Sequence, residues 1–500
     1  MTNISRCVGY HALRTPDRIA VTFEGGHTTY RELWHRAARL ASLLLERGVA
    51  PGDKIALLMK NSPAFLEVAF AISHVGAVLV PINFRLAPDE IHYILRDSES
   101  VILFIDEEFA RHDLTIAKNI IVSVSDQRDA SRLAGQTSSE AQPTSRDIHD
   151  LFRIMYTSGT TDRPKGVMHT YGNFYAKSAD HIVALGLSPR TRLLVTGPLY
   201  HVGAFDLPGI AVLWAGGSLC IQREFDASAT LDLISRERIN GAWFAPVMTS
   251  SLLTCQLEQP RDVSSLEWAI GGGERTPESR IRDFSTAFPN ARYIDAYGLT
   301  ESCGGDTLME AGREFEKIGS VGRALSQVDI EIRNDDGMTL PPGTPGEICL
   351  RGAKVTRGYW RAPDKTAASF FGDWFRTGDV GYLDAEGFLY LTDRKKDMII
   401  SGGENIASSE VERAIYELPQ IRDVAVIGIS DSRWGERPVA FVVLRPDATL
   451  TEANVQEHCR RRLAAFKVPD RVHFENTLPR SASGKILKRE LRERLTRQFI

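Results

Sequence analysis

Paired cysteines are missing from this chain. The six present, Cys7, Cys220, Cys255, Cys303, Cys349 and Cys459, are scattered with no C-x-x-C pair. That spacing indicates neither a zinc site nor a disulfide framework and predicts a reduced, cytoplasmic setting. A surplus of positive charge is missing too. Lys+Arg number 60 against 64 Asp+Glu, a formal net charge of -4, so no basic excess exists to displace counterions from a nucleic-acid backbone. Long apolar runs are absent: residues 64–82 contain Glu67, His74 and Pro81, and residues 207–221 contain Pro208, Gly209, Gly216 and Gly217, whereas a membrane span needs ~20 uninterrupted apolar residues. Both stretches read as buried helix and strand, which leaves only peripheral membrane contact open. The first residues, Met-Thr-Asn-Ile-Ser-Arg-Cys, lack the basic-then-apolar pattern of a signal peptide. There is no internal repeat and no low-complexity tract.

What is present is ordinary globular composition, 43% hydrophobic and 25% charged over 500 residues, enough for about two to four domains. The pattern predicts helix over 30–47, strand over 54–59, helix over 63–75 and strand over 78–81, an alternation that points to parallel-sheet α/β architecture. Residues 126–147, rich in Ser, Thr, Gln, Asp and Arg, read as a surface connection. After the charged run Asp393-Arg394-Lys395-Lys396-Asp397 the pattern becomes self-contained. Ser409-x-x-Glu412 reads as a capping box opening a helix to Leu418, strands follow over 424–429 and 439–444, and 452–463 is helical.

The segment richest in chemistry runs Ile154-Met155-Tyr156-Thr157-Ser158-Gly159-Thr160-Thr161-Asp162-Arg163-Pro164-Lys165-Gly166. An apolar strand feeds hydroxyls, glycines and a lysine, the parts needed to wrap N–H groups and a cation around phosphates. It is not a Walker loop, because Pro164 precedes Lys165 and Gly166-Val167-Met168 reads as a second strand. A polar hairpin turn would explain Ser-Gly alone but not the whole cluster.

On this segment and four others the chain resembles the adenylate-forming superfamily of acyl-CoA synthetases, luciferase-like enzymes and peptide-synthetase adenylation domains. Tyr297-Gly298-Leu299-Thr300-Glu301 is similar to its adenine and magnesium motif, and Trp374-Phe375-Arg376-Thr377-Gly378-Asp379 to its ribose motif. Asp393 to Asp397, followed by Ser401-Gly402-Gly403-Glu404-Asn405, is similar to its hinge and the first loop beyond. Pro479-x4-Gly484-Lys485 is similar to its catalytic-lysine motif. The resemblance implies a large N-terminal domain over 1–395, built of layered α/β sheets and a distorted β-barrel, and a small mobile α+β C-terminal domain over 396–500.

It also implies ATP and Mg²⁺ as cofactors and coenzyme A as co-substrate, for ligation of a carboxylic acid through an acyl-adenylate to a thioester. Thr157 and Glu301 would hold Mg²⁺, Thr300 the phosphate, and Lys485 would bridge carboxylate and α-phosphate, two anions that otherwise repel. The phosphate set is Thr157, Ser158, Gly159, Thr160, Thr161 and Lys165, and the adenine side Gly272, Gly273, Glu274, Tyr297 and Gly298. Asp379 and Arg394, which alone would read as a turn aspartate and a surface charge, would hold the ribose. Gly402, Gly403, Trp434 and Arg85 would face coenzyme A, and Lys396 would be the hinge. Asp162 departs from the family's usual glycine and adds a negative charge beside the phosphates.

For the acid, His201 stands where amino-acid-activating relatives carry an aspartate, which disfavours an amino-acid substrate. The implied acyl wall is His201, Val202, Gly203, Ala204, Phe205, Phe244, Gly272, Ser302, Cys303 and Gly304. Such a lining predicts a hydrophobic acid, a medium- or long-chain fatty acid first and an aryl or alicyclic acid second. Two other readings compete. His201-x4-Asp206 matches the H-x4-D pair of lipid acyltransferases, with His201 as catalytic base, and a nucleotide-binding regulator would need no catalysis. A carrier-protein thiol is an alternative acceptor to coenzyme A.

Overall fold

The computed structural model describes residues 2–110, 118–122, 135, 137, 139–157, 164–273, 276–394, 397–401, 404–431, 434–480 and 485–498. The helix and strand expectations near the N-terminus hold closely. Helix Tyr30–Glu46 is opened by a capping box of Thr29 and Glu32, and helix Pro63–His74 by Ser62 with proline in its first turn. Strands Lys54–Leu58 and Val78–Pro81 pair in parallel, as a helical crossover requires.

Among the described residues, four sheets organise the fold. A nine-stranded sheet and a six-stranded sheet are mostly parallel and carry helices, and a five-stranded antiparallel sheet follows over 329–394. The fourth sheet, again five-stranded, is built from segments between Ile399 and Phe474. The largest apolar core draws on both of the large sheets, joining Leu79 and Phe104 of one to Leu193 and Ile270 of the other. The C-terminal sheet has its own core around Ile399, Val426, Val442 and Val455. This is the mixed α/β architecture expected. Among the described residues no helix is long and apolar enough to cross a membrane.

One local expectation fails. The helix near Ser409 exists as Ser408–Tyr416, but no side chain caps it. Glu412 pairs with Lys488 at 2.7 Å and accepts the Val426 N–H at 2.8 Å, and the Ser409 hydroxyl donates to the Thr392 carbonyl. Tertiary partners outcompete the reciprocal local bonds that the spacing alone suggests.

Candidate active site

The phosphate segment is an antiparallel hairpin. Leu151–Thr157 pairs with Lys165–Thr170, and Thr157 faces Lys165 across it. Ser158, Gly159, Thr160, Thr161 and Asp162 lie outside the described residues, as do Glu274, Lys396, Gly402 and Gly403 and the side chain of Arg394. Beyond the hairpin runs the segment 356–360. Met168 N–H donates to the Gly358 carbonyl at 3.1 Å and Trp360 N–H to the Gly166 carbonyl at 2.7 Å. This pairing sets Tyr359 between two motif residues: its ring lies 4.5 Å from Lys165 Nζ, and its hydroxyl donates to Glu301 Oε1 at 3.0 Å. Motif reading missed Tyr359, whose signal is the dipeptide Gly358-Tyr359, with the glycine at a φ of 138°.

Thr300 and Glu301 sit in a short 3₁₀ turn, Thr300–Ser302, directly after strand Arg292–Tyr297. Gly298 stands at the neck of this turn. A Cβ there would come within 2.2 Å of the Gly305 nitrogen, so the close return of the chain demands glycine. The Tyr297 hydroxyl donates to Asp379 Oδ2 at 2.9 Å, which brings the adenine and ribose motifs together. Burial and that carboxylate push the phenol well above its ordinary range. Gly272 ends strand Trp268–Gly272, and the space where a Gly273 side chain would stand is open.

Glu301 is suited to Mg²⁺, with one carboxylate oxygen oriented by Tyr359. No cluster of three His, Cys, Asp or Glu side chains suited to a metal occurs among the described residues. A hard cation held by one carboxylate and by phosphate oxygens needs no such cluster.

His201 opens the acyl segment. Its Nδ1 accepts the Gly203 N–H at 3.1 Å, so Nε2 carries the proton. Burial, then the charges of Lys485 and Arg153, bring its pKa down to about 4. His201 is therefore a neutral donor rather than a base. Asp206 turns away from it, pairing with Arg153 at 2.9 Å and Lys177 at 3.6 Å. The H-x4-D acyltransferase reading, and with it the role of His201 as a catalytic base, is overturned by this geometry. The Lys485 charge is the second cause of the lowered His201 pKa, after burial.

The acyl wall is partly as expected. Val202, Ala204, Phe205, Ser302 and Cys303 are buried, and a Cβ on Gly304 would lie 3.3 Å from Val202. The Ser302 hydroxyl is engaged by Asp306. Cys303 has left-handed backbone at φ 61°, and burial pushes its thiol up to about 12, so it is no nucleophile. Phe244 is a correction. Successive strand residues face opposite sides, and Phe244 packs into the core with Leu231, Leu252 and Phe284, while Trp243 faces the acyl segment. A Cβ on Gly197 or Gly203 would lie 2.8 or 2.6 Å from the indole, so these glycines make room for Trp243. Arg85 lies exposed over the Phe84 ring at 5.5 Å, and Trp434 is 42% exposed in a turn of the C-terminal sheet.

Comparison with known proteins bears on the same segments. The family of AMP-binding enzymes matches residues 9–360, and the C-terminal domain of AMP-binding enzymes matches residues 410–485. A feruloyl-CoA synthase of an Amycolatopsis species is 37% identical over 487 residues, 97% of each chain. A long-chain fatty-acid–CoA ligase of Mycobacterium tuberculosis is 36% identical over 471 residues, 93% of this chain and 92% of that one. Among solved structures, the o-succinylbenzoate-CoA synthetase of Bacillus subtilis, in complex with its acyl-adenylate intermediate, has a TM-score of 0.88 and 31% identity, covering 97% of each chain. With the phosphate hairpin, the Tyr297 to Glu301 turn and Lys485 in their family order, the chain belongs to the AMP-binding enzymes, in the acid–CoA ligase branch of the adenylate-forming superfamily.

Proposed function

We propose that this enzyme joins a hydrophobic carboxylic acid bearing a ring, of the aryl or alicyclic kind, to coenzyme A in two steps. In the first, a carboxylate oxygen attacks the α-phosphorus of ATP and pyrophosphate leaves. In the second, the thiol of coenzyme A attacks the acyl carbon and AMP leaves. The hairpin residues Thr157 and Lys165 and the turn residues Thr300 and Glu301 are assigned to the phosphates, Tyr297 and Asp379 to the nucleoside, and Lys485 to the approach of the two anions. Mg²⁺, held by Glu301 and Thr157, supplies charge neutralisation when bound. We also assign residues 1–395 to the nucleotide and acyl domain and 396–500 to a C-terminal domain that moves between the steps.

The observation that carries the choice of acid is Trp243. Its indole, 9% exposed, packs against Gly197 and Gly203 of the acyl segment. A rigid aromatic wall behind this segment favours a rigid ring over a long flexible chain. Relatives acting on ferulate and on long-chain fatty acids are almost equally similar, so the pocket residue is the better guide. The test is pyrophosphate release with ATP, Mg²⁺ and coenzyme A across fatty, arylalkanoic and alicyclic acids. Aryl or alicyclic acids should lead, and a clear preference for long-chain acids would reverse the choice.

A further inference from the structure

Beneath the acyl segment lies a buried ionic group that the motifs do not include. Arg153 and His169 face each other across the phosphate hairpin, each four residues from the register pair Thr157 and Lys165. Arg153 Nε and Nη2 lie 3.0 and 2.9 Å from His169 Nδ1, and Nη2 lies 2.9 Å from Asp206 Oδ2. His169 Nε2 lies 2.6 Å from the Thr300 carbonyl. Arg153, His169 and Asp206 are all fully buried, at 0% exposure.

The chemistry of the partners fixes the protons. A guanidinium only donates, so His169 Nδ1 is an acceptor and Nε2 carries the hydrogen given to the Thr300 carbonyl. Burial and the adjacent Arg153 charge hold His169 well below its ordinary pKa, in keeping with a neutral ring. Arg153 therefore reaches three parts of the site: the hairpin it belongs to, the acyl segment through Asp206, and the Thr300–Glu301 turn through His169. Thr300 and Glu301 touch the nucleotide in the reading above, but nothing in that reading says what holds their backbone. The Thr300 carbonyl also accepts the Cys303 N–H at 3.1 Å, within the turn, so His169 is its anchor to another element.

We propose that Arg153 and His169 are positioning residues for the first half-reaction: Arg153 selects the His169 tautomer, and His169 fixes the Thr300–Glu301 turn to the phosphate hairpin. The inference rests on the ligase reading. Displacing the turn by a fraction of an ångström misplaces two phosphate-side groups at once, and misplacement of that order costs large factors in rate.

Three variants of the full-length enzyme test it. His169→Leu removes both hydrogen bonds. His169→Gln keeps one acceptor and one donor on a short side chain. Arg153→Lys keeps a charge opposite Asp206 but loses the planar fork. ATP–pyrophosphate exchange reports the first half-reaction, and thioester formation from preformed acyl-adenylate reports the second. His169→Leu should lower exchange by about 10- to 100-fold and leave thioester formation within about twofold, because the second step no longer needs the phosphate-side groups. His169→Gln should restore most of the loss. Ring-nitrogen NMR should show His169 as the neutral Nε2–H tautomer in the parent enzyme and as a tautomer mixture in Arg153→Lys. Equal losses for Leu and Gln, or both half-reactions falling in step with the melting temperature, would reduce the pair to a structural role. If the parent enzyme gives no exchange with any acid, the ligase reading fails, and the tautomer measurement alone still decides whether Arg153 selects the His169 proton.

Discussion

Two cations act on His201 from different parts of the molecule, and they are held in opposite ways. Arg153 is fully buried in the hairpin, with His169 and Asp206 against its guanidinium. Lys485 is half-buried in the C-terminal segment, two residues before Leu487, whose N–H donates to the Pro479 carbonyl at 2.8 Å. Both lower the pKa of the same imidazole. We propose that the contrast follows from what each step needs. Hairpin, acyl segment and turn must keep one arrangement while the nucleotide and the acid are held, so their cation is fixed by a buried network whose loss would strand a charge. A cation needed only while two anions approach is better carried on a unit that can withdraw afterwards.

Removing Lys485 is the strongest way to break this comparison. Lys485→Ala should lower adenylation by on the order of 10²- to 10³-fold, the scale of losing one electrostatic contact to a developing charge. Thioester formation from preformed acyl-adenylate should change little. Equal losses in both half-reactions, measured by pyrophosphate release and thioester yield, would show that Lys485 is not specific to the first step.

The next prediction tests withdrawal itself. We propose Lys396 as the pivot, because it separates two well-patterned domains and lies between Asp393 and Asp397. The Asp393 carboxylate accepts the Ser408 N–H at 2.5 Å and the Ser408 hydroxyl at 2.6 Å, and Asp397 pairs with Arg492 at 3.0 Å. Rotation about Lys396 has to release Asp393 from Ser408. Lys396→Pro, which fixes φ at one value, should spare adenylation and slow thioester formation by about tenfold or more. Stopped-flow measurement of the two steps checks it, and parallel slowing would move the pivot elsewhere.

How much of this was legible beforehand depends on the kind of signal. Residues such as Thr157, Glu301, Asp379 and Lys485 stand out in the sequence because they fall in motifs of fixed order and spacing that resemble the family's. The strands around 54–81 are legible because buried parallel strands leave apolar runs bounded by turns. The side that Phe244 faces is not legible in the sequence, because in a short apolar strand adjacent residues are both large and only sheet packing decides which side is pocket and which is core. Arg153 and His169 were invisible for a related reason: sixteen positions apart, they meet only through hairpin register. The failed capping box at Ser409 shows the converse, a correct local spacing overridden by Lys488 and Val426.

A smaller effect is expected from Asp162, which stands in the phosphate loop where the resemblance expects glycine. We propose that its charge acts on the β and γ phosphates and not on the acid. Asp162→Gly should therefore lower the KM for ATP by about three- to tenfold, the scale of one partly screened charge, and leave the KM for the acid unchanged. An ATP KM that stays or rises would show that the rest of the loop already compensates.

The smallest effect is the most direct measure of where Lys485 stands. His201 has a pKa of about 4 against an ordinary 6.5, with burial the first cause and the Lys485 charge the second. Between those values the unfolded chain binds a proton that the folded enzyme does not, so this residue's contribution to stability falls as pH drops from 6.5 towards 4. Lys485→Ala removes one opposing charge and should raise the His201 pKa by a fraction of a unit to about one unit, narrowing that window. Arg153 stays in place, so the shift is partial. NMR titration of His201, assigned by comparison with His201→Asn, reads the change without any turnover. An unchanged titration in Lys485→Ala would mean that the lysine stands outside the site when no substrate is bound, and that substrate, rather than the resting fold, brings the C-terminal domain in.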